Sequence, residues 1–365
     1  MSPSPTGSAA APLAGKDAAQ PSISVPFPVP YPASWVDLLQ AWVESLPIPW
    51  WLCYLLLAVL LCGLVALGLW RTGVYAAVGF HPMQVWLPML AAYLLGLTHG
   101  LDLAAEEAMR RFRPAFRGDD DEFRGAVYRI TTLPARPVLI FTVAATLVTL
   151  PFGRFEMSML QTGGLERSPL LFDTILAIMY LISYPFFYHV WHQLREIHRL
   201  HGNWATARLS NVRPMHALSR ISVLTALGIV IFNYGWFLAQ PGADPDNPVT
   251  IVETLFNLVI VLIVFLWPLW GAHRMLVDAK EQTQTELARR TESTRAQLHQ
   301  AVDAGQLERV DPLHKALTAL QAETAELTRI ATWPWAPGTL RNLVGAVFLP
   351  VILWLIQYGL GKVLG

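Results

Sequence analysis

The sequence predicts an all-α protein that crosses the membrane several times. Three observations carry this. Of 365 residues, 54% are hydrophobic and only 14% charged, far below the roughly 25% charge of a soluble domain. Apolar stretches long enough to span a bilayer recur along the chain. Basic residues are concentrated in alternate loops. The same composition excludes a disordered chain, a disulfide scaffold and an ordinary soluble enzyme. The formal net charge is zero, so no global field draws in nucleic acid.

Residues 1–32 hold eight prolines among Ser, Ala and Gly and read as a disordered tail. Residues 33–48 read as an amphipathic interfacial helix. Trp35, Leu38, Leu39 and Trp42, with Leu46 beyond, form its apolar stripe, and Asp37 and Glu44 lie off it. A six-span bundle with its loops is expected over 49–271, with spans at 49–70, 84–103, 133–152, 169–191, 217–239 and 249–271. The first is flanked by Trp50, Trp51 and Trp70, as interfacial tryptophans flank a span. The second is the weakest, its apolar part short and its end carrying His99 and Asp102. Cys53 and Cys62 stand about 180° apart on one helix and cannot pair.

Residues 272–338 are expected to form a cytoplasmic helical hairpin. The stretch 274–303 has neither proline nor glycine, and Ala304-Gly305 ends it. Asp311-Pro312 supplies an N-cap and a first-turn proline for the returning helix. Leu313, Leu317, Leu320, Thr324, Leu327 and Ala331 then follow the 4-3 spacing of a coiled-coil seam. Trp333 to Gly338 returns the chain to the membrane, and 339–365 holds the seventh span and a short outer tail. Small residues and Pro350 in that span suit a packed or pore-lining helix, and Asn342, Pro350 and Gln357 are its candidate pore-lining residues.

Arginine and lysine set the orientation. Seven arginines follow span two, four follow span four, and nine basic residues lie between 272 and Arg341. Only Arg71, Arg154 and Arg167 lie in the opposite loops. This places the N-terminus in the cytoplasm and the C-terminus outside. The arginine-rich, lysine-poor usage suits a bacterial inner membrane.

Two polar triplets could carry chemistry. His99, Asp102 and Glu106 repeat at i, i+3 and i+7, as do His189, His192 and Glu196. Each covers about 60° of one helix face. Facing each other at the inner interface, they could hold a divalent metal, and a metal-dependent enzyme acting on lipid follows as one reading. The histidine boxes of membrane desaturases are not matched, because no adjacent His-His pair occurs. Their neighbours His198 and His201, with Arg195, Arg199 and Arg208, form a basic surface suited to solvent or to anionic lipid. Towards the other face lie Asp173, Asn233, Glu253, Asn257 and Gln357, polar groups that could line an external ligand pocket. No nucleotide-binding, hydrolase or kinase motif occurs.

The leading expectation is therefore a non-enzymatic channel- or sensor-like protein, assembled as a homo-oligomer in the lipid bilayer. The spans would couple through the hairpin to the last span. In topology alone this resembles the seven-span, N-inside architecture of insect chemoreceptor channels. A third reading is a membrane scaffold whose hairpin binds a soluble partner.

Overall fold

A computed structural model describes residues 29–73, 80, 82–159, 169–204, 213–239, 248–333 and the isolated positions 341 and 345. The described chain is helical throughout. Its helices are α1 (Trp35–Glu44), α2 (Trp50–Arg71), α3 (Met83–Phe112), α4 (Asp120–Thr131), α5 (Ala135–Met159), α6 (Pro169–Arg199), α7 (Arg213–Ala239), α8 (Pro248–Asp303) and α9 (Leu307–Arg329). Among the described residues the only β-type pairing is an isolated bridge between Ala33 and Pro134.

Six of these helices are long and apolar enough to cross a membrane: α2, α3, α5, α6, α7 and α8. They coincide with the first six expected spans. The seventh, with Asn342, Pro350 and Gln357, lies outside the described residues.

Helix α3 is the hub and packs on α2, α6, α7 and α4. Of its spanning window, 67% is buried inside the protein, against 17% for α2 and for α5. This explains its weak apolar signal. A helix ringed by other helices need not be uniformly greasy, whereas one facing lipid must be. Its main core runs through Leu94, Leu101, Met109 and Phe112 to Phe186, Ile197, Ile221 and Phe265 on α6, α7 and α8. Two glycines on α7 let α3 approach closely. A methyl group at Gly228 would run into Leu97, and one at Gly235 would overlap the Trp86 ring.

Span two also runs further than the sequence suggested, to Phe112 rather than residue 103. The following stretch is not a plain loop but contains α4. Asp119 caps that helix: it accepts from the Glu122 amide, and Glu122 reaches back to the Asp119 amide. This reciprocal box satisfies two amides that a helix start otherwise leaves bare.

Helix α8 continues without a break from the apolar span to Asp303. Gly305, at φ +70°, turns the chain. The Gln306 amide donates back to the Ala301 carbonyl at 2.9 Å, and the Gly305 amide to Val302 at 3.0 Å. These paired bonds close a helix end around a left-handed residue. Because the turn is this tight, α9 starts at Leu307. The expected start at Asp311-Pro312 is thereby corrected: Pro312 sits inside the helix, in its second turn, where it offers no N–H to the Glu308 carbonyl. Helix α9 then packs back on α8, with Leu313, Leu317, Leu320 and Leu327 the better-covered positions of its seam. At the hairpin base, His273 stacks on Trp333 with ring centres 4.0 Å apart. Lys280 Nζ caps the end of α9 by donating to the Thr328 and Ile330 carbonyls.

Candidate functional site

The richest polar region lies at the arginine-rich end of the bundle, where α1, α3, α6 and the α4–α5 junction meet. It begins with local sequence. Ser34 caps α1 in a reciprocal box with Asp37. Asp37 then reaches across 96 positions to accept the Leu133 amide with both oxygens, each at 3.2 Å. That anchor presses Val36, Gln40 and Val43 of α1 inward.

Gln40 arrives over Asp102 of α3. The Asp102 carboxylate accepts from His189 Nε2 at 2.7 Å, from Gln40 Nε2 at 3.1 Å and from Gln193 Nε2 at 3.4 Å. His189 is 1% exposed and Asp102 7%. An isolated carboxylate would be costly at such a place, and three donors are what makes it tolerable. One turn earlier on α3, His99 is held at both nitrogens. Tyr54 of α2 lies 3.1 Å from Nδ1, and Glu44 of α1 lies 3.2 Å from Nε2. The Trp50 ring covers it at 5.1 Å. The consistent assignment is an Nε2–H tautomer, with Tyr54 donating and Glu44 accepting.

A second layer sits beside the first. His192 donates to the Arg129 carbonyl at 2.8 Å, and Tyr188 stacks over its ring. Tyr31 donates to the Thr132 carbonyl at 2.9 Å and lies 3.3 Å from His192 Nε2. Glu196, also buried, lies between Arg199 at 2.9 Å and Arg129 at 3.6 Å. Burial and the neighbouring Glu196 charge push the Tyr31 hydroxyl up, so it remains a phenol. Burial likewise pushes the Asp37 carboxyl above its ordinary value, and it outweighs the bonds from Ser34 and Leu133 that pull it down.

The two triplets read from sequence therefore meet in part. Asp102 and His189 touch. His99 turns to α1 and α2 instead, and His192 turns to the α4–α5 junction. Glu106 is half exposed, 3.8 Å from Arg110, and outside the cluster. Among the described residues, no three His, Cys, Asp or Glu side chains gather as a metal site requires. Asp102 and His189 Nε2 are aimed at each other. His189 Nε2, which could have served as a ligand, is spent on Asp102.

The pair expected to form a basic surface also lies elsewhere. His201 is fully buried in a π-helical turn, Leu200–Trp204, against Phe112, and His198 stacks on Trp267. Of the residues expected around an external pocket, Asp173 and Asn233 have described side chains. Asp173 is ion-paired with Arg154 at 3.0 Å between α5 and α6. The Asn233 amide donates one turn back to the Ile229 carbonyl. The side chains of Glu253 and Asn257, and all of Gln357, lie outside the described residues.

Sequence reasoning missed Tyr31, Gln40, Glu44, Tyr54, Arg129 and Gln193. Gln40 and Glu44 carried a usable signal, as polar residues standing off the apolar stripe of α1. No protein-family model, curated protein sequence or solved structure matches the chain.

Proposed function

We propose that the protein is a multi-pass membrane transducer, channel- or sensor-like, in which α8 carries displacement between the span bundle and the hairpin. The supporting observation is continuity. A single helix of 56 residues runs from within the bundle to the hairpin tip, about 84 Å at 1.5 Å per residue. A rod of that kind transmits a tilt at one end to the other. Pro268 lies inside it, near where it leaves the bundle. A proline there removes one backbone hydrogen bond and supplies a natural point of bending. In this reading the arginine-rich end and the hairpin face the cytoplasm of a bacterial cell, copies associate, and the last span lies downstream of the hairpin.

In a chain carrying Cys53→Ala and Cys62→Ala, spin labels at Arg110→Cys and Ser293→Cys, both exposed, report bundle against hairpin. A transducer is expected to show two distances whose weights differ between detergent micelles and lipid bilayers. One narrow distance under both conditions would make the hairpin a static arm and reject the reading. Zinc or iron retained through purification, and lost on His189→Ala with His192→Ala, would replace it with the metal-dependent one.

A further inference from the structure

Helix α1 has two faces with different chemistry. Trp35, Leu38 and Trp42 are 37%, 64% and 59% exposed and fall within about 60° of arc. On the other side, Gln40 bonds to Asp102 and Glu44 to His99. Three large apolar side chains on one short helix are costly in water. Their surroundings name what covers them. The exposed apolar surface of α2, through Trp51, Leu55 and Leu56, begins just past the short Ser45–Pro49 link. Around the same end of the bundle, Arg195 lies over the Trp191 ring at 5.2 Å and Arg274 over Trp270 at 5.6 Å. Such pairs suit headgroup depth, where an aromatic ring meets phosphate and a cation. The outward face of α1 is thus joined by a five-residue link to a helix whose own apolar surface is exposed.

We infer that the exposed face of α1 docks on the membrane surface, and that the same helix ties that surface to the buried Asp102–His189 pair. The outer residues seat in the headgroup and acyl boundary, about 5–10 Å deep. The inner residues hold Asp102 and His99. A change in how the surface packs shifts α1, and a shift of α1 removes a donor from a buried carboxylate, which is expensive. This rests on the transducer reading for its purpose, since it names the bilayer as the input. The docking and the tie are tested separately from that reading.

The test uses the full chain with Cys53→Ala and Cys62→Ala, spin-labelled at Leu38→Cys, in vesicles of phosphatidylcholine with phosphatidylglycerol. Ser293→Cys on the hairpin is the aqueous reference. The label at 38 is expected to collide with oxygen in preference to a water-soluble nickel chelate, the reverse of the reference. A label at 38 that behaves like the reference overturns the docking. So does one that neither reagent reaches, because it would then lie against protein, a second copy included. For the tie, Asp102→Ala is expected to move the label at 38 towards water and to speed hydrogen exchange of the α1 amides about tenfold. Gln40→Leu cuts the same bond from the other side and is expected to give the same acceleration should Asp102→Ala fail to fold. Unchanged α1 exchange overturns the tie. Failure of the transducer reading would instead appear in the Arg110–Ser293 distances, which do not involve α1.

Discussion

Asp37 carries opposing forces within one carboxyl. Ser34 and Leu133 donate to it and favour the charged form, burial favours the neutral one, and burial wins. A carboxyl whose folded-state pKa is raised binds more protons folded than unfolded. Its contribution to stability is complete below the unfolded value and is lost as pH rises through the folded one. Asp37→Asn removes the titration. Acidification from neutral pH is therefore expected to stabilise the natural protein relative to this variant, measured as the difference between their thermal unfolding curves across a pH series. A difference that moves the other way would mean the hydrogen bonds outweigh burial. Asp102 and His189 show what residue spacing reveals and what it does not. The i, i+3, i+7 pattern placed each on a polar helix face. It could not say that α3 and α6 would turn those faces together, nor that His99 and His192 would be claimed by α1, α2 and the α4–α5 junction. Partner choice across helices is a tertiary property, and one-dimensional periodicity does not encode it.

At the scale of elements, lipid-facing helices were the easiest to read. Helix α2, mostly exposed along its spanning window, is apolar almost throughout because little of its surface is covered by protein. Helix α3 was faint for the opposite reason: it solvates its polar groups with protein. Helix α4 went unread because it is short and polar, though its Asp119-to-Glu122 box stood in the sequence. The hairpin turn was legible in Gly305, while the start of α9 was not, since Asp311-Pro312 imitates a helix beginning that the tight turn makes unnecessary. Gly305 supports a direct prediction. No atom lies within 4 Å of where a Cβ would stand, so Gly305→Ala meets only the backbone cost of a left-handed residue, about 1 kcal/mol. Faster hydrogen exchange across residues 300–308 is the expected readout, and Gly305→Asn, which tolerates that conformation better, should show less of it.

For the whole molecule, all-α class and six spans could be read from composition and period, because a bilayer imposes both on any chain that crosses it. How the spans are arranged around α3 could not. The hairpin stands apart energetically. Helix α9 packs on α8 and is fastened at its base through His273, Trp333 and Lys280. Excising residues 283–325 and joining the ends with a short Gly-Ser linker is therefore expected to leave the thermal unfolding of the spans unchanged. A lowered midpoint would show that the hairpin braces the bundle.

The bonds that seat the N-terminal segment reach far along the chain: Asp37 to Leu133, Tyr31 to Thr132, and Tyr31 to His192 across 161 positions. A ribosome delivers these partners in order. When α1 emerges, none of its anchors has been made. The first, Gln40 to Asp102 and Glu44 to His99, become available with α3. Asp37 to Leu133 and Tyr31 to Thr132 follow only with the α4–α5 junction, and Tyr31 to His192 only with the far end of α6. Until the α4–α5 junction is made, Asp37 has only the local Ser34 cap and no Leu133 amide to accept. This segment, translated before every span, is thus fully seated only after α6 is made, and its docking marks the completion of the helices beneath it.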